Sequence, residues 1–247
     1  MENPKHILKL FDNISLEEMD SVKLLNRTDT KYVLNATEFL ELLPLLLEDY
    51  RILEIEDQRA SKYKTTYYDS PDFEFYHLHQ RGKKNRYKVR KRQYVDTKLS
   101  FLEIKNKNNK GRTIKHRKVI PTLEDTLHDQ EKKYIKDISG LSTMLESKLT
   151  NEFQRVTLVH KELPERLTFD MNLTFVKEGK KHVLETIVIA ELKQEKLNRG
   201  STFARLVKKK LIRPKRISKY CLGVAMLEEN VKKNAIKEKL NTLKKLA

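Results

Sequence analysis

The chain of 247 residues carries 52 Lys plus Arg against 35 Asp plus Glu, a formal charge of +17, which selects a polyanionic partner but leaves nucleic acid, an anionic membrane surface and polyphosphate all open. The single cysteine, Cys221, excludes an intrachain disulfide, the seven histidines are too scattered for a zinc site, and the longest apolar run, residues 42–47 with Pro44 inside it, is too short to cross a bilayer. With no apolar centre of a secretion signal in MENPKHILKLF, a soluble, cytoplasmic protein is expected.

No Pro-, Gly- or Ser-rich linker divides the chain, so one domain over 1–247 is expected, with its core at about 27–224 and a Lys-rich helix or tail at 225–247. Ser15 with Glu18 forms a capping-box signature, with Ile14 and Met19 as its staple, and predicts a helix over 16–25. Thr37 is the expected cap of a second helix that runs toward 47 and bends or ends near Pro44. Residues 51–69 read as strand and stop at the turn Ser70-Pro71-Asp72, and a helical turn follows to about 80. Strands at 86–96, 99–106 and 112–120 form a meander joined by polar turns such as Asn108-Asn109-Lys110-Gly111. Residues 121–148 have helical character, strands return at 153–160, 166–175 and 186–196, and helices at about 202–211 and 219–246 close the chain.

The faces on which these strands carry charge narrow the partner further. Side chains two apart share a face, so Arg86, Lys88, Arg90, Arg92 and Tyr94 stand in one row. Arg166, Thr168, Asp170, Asn172 and Thr174 oppose Leu167, Phe169, Met171, Leu173 and Phe175. Glu103 and Lys105 oppose Leu102 and Ile104, and Glu191, Lys193 and Glu195 oppose Val188, Ala190 and Leu192. A single-layer sheet with a solvated charged face accounts for any one of these strands. Repetition over several strands favours an α+β fold on a closed antiparallel β-barrel with a polar, basic lumen, surrounded by helices, which also removes edge strands. Such a lumen needs carboxylates, water or a bound anion to offset its cations, and a linear chain of phosphates would do so.

The same residues resemble a known family. Taken together, RTDTKY, the R-x-R-x-Y of Arg90, Arg92 and Tyr94, FLEIK, TIKHR, FQRVTL, ERLTFD, IAELK and RISKY are similar to the VTC domain over about 27–224. That domain is the polyphosphate-polymerase branch of the CYTH-like triphosphate tunnel metalloenzymes. The resemblance implies a tunnel in which Arg90, Arg92, Lys105, Arg155 and Arg166 are catalytic, Lys31, Lys88, Lys115, Lys193, Ser218 and Lys219 bind phosphate, and Glu191 binds Mn²⁺ or Mg²⁺. It places Arg27, Asp29 and Lys31 on the first tunnel strand and Phe153 where relatives often carry Tyr; Glu103 is either a second metal ligand or the neutraliser of a lysine. The implied activity is metal-dependent transfer of the γ-phosphoryl group of ATP onto a growing polyphosphate chain. ATP and polyphosphate are then the partners, and a membrane-protein partner stays open.

Ser218 at the start of a helix suits phosphate contact on its own chemistry, because helix N-termini attract anions, and a plain N-cap accounts for it equally. Two rival functions stand beside the polymerase: hydrolysis of tri- or polyphosphate in the same tunnel, and non-catalytic binding of polyphosphate or nucleic acid, with Tyr87 and Tyr94 interleaving the cations. The sequence has no Walker A loop and no nucleic-acid motif, and a narrow lumen excludes a duplex, so no specific nucleic acid is expected. The Lys-rich stretch after Glu228 reads as a solvated helix face.

Overall fold

A computed structural model describes residues 4–21, 27–110 and 112–246. In chain order the elements are α1 (Lys5–Leu8), β1 (Asn13–Ile14), α2 (Leu16–Ser21), β2 (Thr28–Asn35), α3 (Ala36–Leu42), β3 (Tyr50–Leu53), β4 (Ser61–Asp69), α4 (Glu74–Gln80), β5 (Arg86–Tyr94), β6 (Leu99–Lys107) and β7 (Thr113–Ile120). There follow α5 (Asp129–Ser139), β8 (Glu146–His160), β9 (Glu165–Lys177), β10 (Lys180–Leu184), β11 (Ile187–Gln194), α6 (Thr202–Lys209), α7 (Lys219–Leu227) and α8 (Lys237–Leu246). The capping box at Ser15 forms, with the Ser15 N–H donating to Glu18 Oε2 at 2.9 Å and the Glu18 N–H to Ser15 Oγ at 3.2 Å. Positions 22–25 of that expected helix, and Gly111 of the expected turn, lie outside the described residues.

One sheet runs in the order β2-β11-β9-β8-β4-β5-β6-β7, every neighbouring pair antiparallel. It curls so that residues of both terminal strands, β2 and β7, line one cavity, yet among the described residues no hydrogen-bonded register joins those strands. The expected closed barrel is therefore corrected to a curled, open sheet. Both terminal strands carry cations into that cavity, Lys115 from β7 and Lys31 from β2, and like charges placed directly opposite would destabilise a strand pair. β7 also lacks a consistent apolar face, since nearly all of TIKHRK is exposed.

The outer face of β2, β11, β9 and β8 is apolar and is covered by α3 and α6. Tyr32, Leu34, Val188, Ala190, Leu167, Phe169 and Val156 pack there against Phe39, Leu42, Phe203 and Val207. The Phe169 ring lies 4.9 Å from Phe39 and 5.7 Å from Phe203. Burial of such side chains contributes roughly 1.5–3 kcal/mol each. α3 is capped by Asn35 rather than by Thr37: Asn35 Oδ1 accepts from the Glu38 N–H at 2.8 Å and the Asn35 N–H donates to Glu38 Oε2 at 2.8 Å. On β5 and β6 the outer residues Val89, Leu102 and Ile104 pack against Ile135 of α5, beside a buried pair in which Lys91 Nζ sits 2.8 Å from Glu131.

The inner face is apolar over half its extent and plugged there by α7, whose sequence KYCLGVAML is apolar nearly all round, as a buried helix requires. Gly223 permits the contact, since a Cβ there would lie 2.6 Å from Phe175 Cδ1 and 3.0 Å from Leu149 Cδ2. Leu173 and Phe175 reach this inner core because Asn172 adopts φ 53° in a β-bulge, where two residues of β9 oppose Phe153 of β8. The expectation that 167, 169, 171, 173 and 175 share one face fails at that bulge.

Three further expectations are corrected. Residues 121–148 contain one helix, α5, ended by Gly140 at φ 67°, and β8 already begins at Glu146. The strand-like stretch 51–69 divides into β3 and β4. The expected helix over 219–246 breaks at Glu228, whose extended backbone ends α7 and whose carboxylate pairs with Lys177 before α8 begins.

Candidate functional site

The uncovered half of the inner face lines a cavity of about 360 Å³. Alternation on β5 aims Lys88, Arg90, Arg92 and Tyr94 into it, while β6 supplies Lys105 and β7 Lys115. From the other side come Arg155 of β8, Arg166 and Asp170 of β9, Glu191 and Lys193 of β11, and Asp29 and Lys31 of β2. Ser218 and Lys219 form its floor at the N-terminus of α7. All twelve residues singled out as catalytic, phosphate-binding or metal-binding thus line one space, although they come from seven strands and a helix. Arg86 shares their strand but is not among the lining, and Tyr87 points to the outer face, where its hydroxyl donates to Ser139 O at 3.0 Å.

Eleven cationic side chains face three carboxylates in this lining, a large local excess of positive charge. The carboxylates present are tied to cations already. Asp170 accepts from Arg155 Nε at 2.5 Å and Nη2 at 2.8 Å and also pairs with Lys219. Behind the lining, Glu103, 1% exposed, accepts from Arg90 Nε at 2.6 Å and lies 2.6 Å from Lys115 Nζ. Of the two roles open to Glu103, the geometry gives the neutralising one. Asp170 sits on the polar side of β9 as the alternation requires; its partners come from β8 and α7, contacts that no local pattern announces.

Arg92, Lys88 and Lys105 have no carboxylate partner among the described residues. Arg92 Nε donates to Thr65 Oγ1 at 3.3 Å and Lys88 Nζ to Ser218 Oγ at 3.1 Å. The crowding shows in their protonation. Burial, with Lys31, Arg90 and Arg86 nearby, lowers Lys88 to about 8. The Arg90 charge, then burial, hold Lys105 well below the ordinary lysine value. Burial also lowers Lys219 to about 7, with Asp170 opposing that shift and Arg155 adding to it. Burial pushes Glu191 up, but Lys31 and Lys193 outweigh it and hold the carboxyl well below its usual range.

The donor set fits a divalent ion only as a companion of a phosphate ligand. Glu191 Oε1 lies 3.3 Å from Lys31 Nζ and its Oε2 2.5 Å from Lys193 Nζ, while Asp29 pairs with Arg27 at 3.0 Å. Among the described residues no cluster of three or more His, Cys, Asp or Glu side chains could hold a metal. Hard cations that receive most of their oxygens from phosphates need one or two protein carboxylates, and Glu191 meets that requirement.

A curled antiparallel sheet with helices outside and a cation-lined space within is the architecture of the CYTH-like triphosphate tunnel class. A Bacillus halodurans protein described as a candidate adenylate cyclase is similar in fold, with 13% identity, a TM-score of 0.52, and coverage of 83% of this chain and 98% of that one. A Hippeastrum protein described as a candidate adenylyl cyclase with a dominant triphosphatase activity is similar at 13% identity and a TM-score of 0.51, covering 82% of this chain and 97% of that one. At such identity these likenesses show the fold alone. The family model described as the VTC domain matches residues 26–228, and the chain belongs to that family. No curated protein matches the sequence. Among the described residues no helix is long and apolar enough to cross a membrane.

Proposed function

We propose that the chain is a polyphosphate polymerase that transfers the γ-phosphoryl group of ATP to the end of a polyphosphate chain inside the basic cavity. The observation that supports this reading most is the excess of cations over carboxylates in one cavity, three of those cations having no acidic partner among the described residues. A terminal polyphosphate oxygen, already anionic near neutral pH, forms a bond to the γ-phosphorus as the bond to the bridging oxygen breaks, and ADP leaves. Such a step needs little covalent help from protein, because positioning and electrostatic stabilisation provide most of the catalysis. Arg90, Arg92, Arg155 and Arg166 are the planar forks for equatorial oxygens, with Lys105 beside them at the reacting phosphorus. Lys31, Lys88, Lys115, Lys193, Ser218 and Lys219 hold the remaining phosphates. Glu191 would hold Mn²⁺ or Mg²⁺, which when bound neutralises charge on triphosphate oxygens. ATP and polyphosphate are the partners, the cytoplasm is the setting, and a membrane-protein partner would give the product a route onward.

Incubation of the purified chain with ATP and Mn²⁺ or Mg²⁺ is expected to give a polyphosphatase-sensitive ladder on a gel. Arg90→Ala should reduce its yield by roughly ten- to a thousandfold, the cost of removing one transition-state donor. Release of free phosphate without a ladder would make water the acceptor and the protein a tri- or polyphosphatase. A salt-sensitive shift of duplex DNA with no turnover would replace both with a binding role.

A further inference from the structure

Four aromatic rings, from β8, the start of β4, the end of β5 and the start of β6, cross the sheet in a row, and one of them, Tyr94, lines the cavity. Phe153 stacks on Tyr63 with centroids 5.1 Å apart and planes at 6°, Tyr63 lies 4.9 Å from Tyr94, and Tyr94 meets Phe101 edge-on at 5.7 Å. Strand register produces the row, since Tyr63 pairs with both Phe153 and Tyr94. The inner end belongs to the cationic cavity, with Arg155 5.1 Å above Tyr63 and Lys219 4.2 Å above Phe153. The outer end is different. The Arg117 guanidinium lies 3.3 Å over the centre of Phe101 and 5.7 Å from Tyr94, and it is exposed, with no carboxylate partner among the described residues.

Inorganic phosphates gain nothing from ring faces, which donate no hydrogen bonds. A planar heterocycle does, because guanidinium and aromatic faces stack on bases whatever their sequence. Tyr94 belongs to both environments: it lines the cavity and touches Phe101 at the rim. We infer that Tyr94, Phe101 and Arg117 form a docking rim for the base of a nucleoside triphosphate whose phosphates lie in the cavity, so that the site favours a nucleotide over inorganic triphosphate. This inference rests on the phosphate-holding role proposed for the cavity and adds what recognises the other end of the substrate.

The test is calorimetric titration of the full chain with ATP and, separately, with inorganic tripolyphosphate, both with Mg²⁺. Stacking of one base is worth about 1–3 kcal/mol, so Arg117→Ala and Phe101→Leu should each weaken ATP by roughly five- to a hundredfold and tripolyphosphate by less than about twofold. Arg117→Lys, which keeps the charge and loses the plane, should show the same selective loss. Equal weakening of both ligands would make Arg117 a phosphate contact and overturn the inference, as would unchanged ATP affinity in all three variants. Wild-type protein that binds tripolyphosphate but not ATP would overturn the rim alone; wild-type protein that binds neither would overturn the phosphate-holding reading together with it.

Discussion

Two aspartates buried on the inner side of the sheet contact successive residues of α7 and meet opposite fates. Asp170 lies in the basic half, clamped by Arg155 and Lys219; burial raises its affinity for a proton, but those cations outweigh it and hold the carboxyl well below its usual value. Asp69 lies in the apolar half, where it accepts from the N–H groups of Ser70, Phe75 and Tyr76 at 2.8–2.9 Å and from the Tyr220 hydroxyl. There burial dominates, and the carboxyl is pushed up despite those hydrogen bonds. The difference lies in what each half must hold. The apolar half carries dipoles enough to fix α7 and α4 in place, whereas the basic half carries full positive charges that its own carboxylates do not balance.

The harshest way to break this contrast is Asp170→Asn, which keeps the shape and removes the counter-charge. Arg155 and Lys219 are then left buried without compensation, at a cost of about 3–5 kcal/mol in urea unfolding. Because the proposed ligand is itself an anion, saturating tripolyphosphate should recover part of that loss. A deficit of equal size with and without tripolyphosphate would mean that the cavity is not where the anion balances charge.

Next in size is Gly223→Val, which attacks the apolar half and leaves every charge in place. Its Cβ would enter the space of Phe175 and Leu149, and overpacking of this kind costs about 1–3 kcal/mol. The expected result is a lowered Tm accompanied by weaker tripolyphosphate binding, because Ser218 and Lys219 move with α7. Lost stability with undiminished binding would show that the two halves are mechanically independent.

How far each half was legible in the sequence follows from the range of the pattern that built it. The row Lys88, Arg90, Arg92 and Tyr94 is a local alternation within a single strand, so its common face could be read directly. The bulge at Asn172 could not: the apolar alternation of β9 runs unbroken to Phe175, and burial on either face leaves the same pattern. Closure is not legible in the sequence for a related reason. Alternation reports which side a residue occupies, and says nothing of whether the first and last strands meet. The aromatic rim was likewise out of reach, because Tyr63, Tyr94, Phe101 and Arg117 are joined by register between β4, β5, β6 and β7 rather than by spacing.

The smallest expected effect sharpens the contrast through protons. Burial holds Lys219 at about 7 and Lys88 at about 8, against an ordinary lysine value of about 10.4. Between pH 7 and 10 the unfolded chain therefore binds more protons than the folded one, so the contribution of Lys219 to stability rises with pH, and its burial cost is felt in full only below about 7. Anion binding runs the other way, since a polyphosphate favours the charged amines and draws protons onto them. At pH 8 the binding of tripolyphosphate is expected to take up on the order of one proton, measured as the dependence of calorimetric heat on buffer ionisation. Lys219→Met should reduce that uptake and leave the part due to Lys88 and Lys105. If wild-type protein took up no proton at pH 8, the amines would already be charged in the free cavity, and its carboxylates would be balancing far more of the positive charge than their geometry provides.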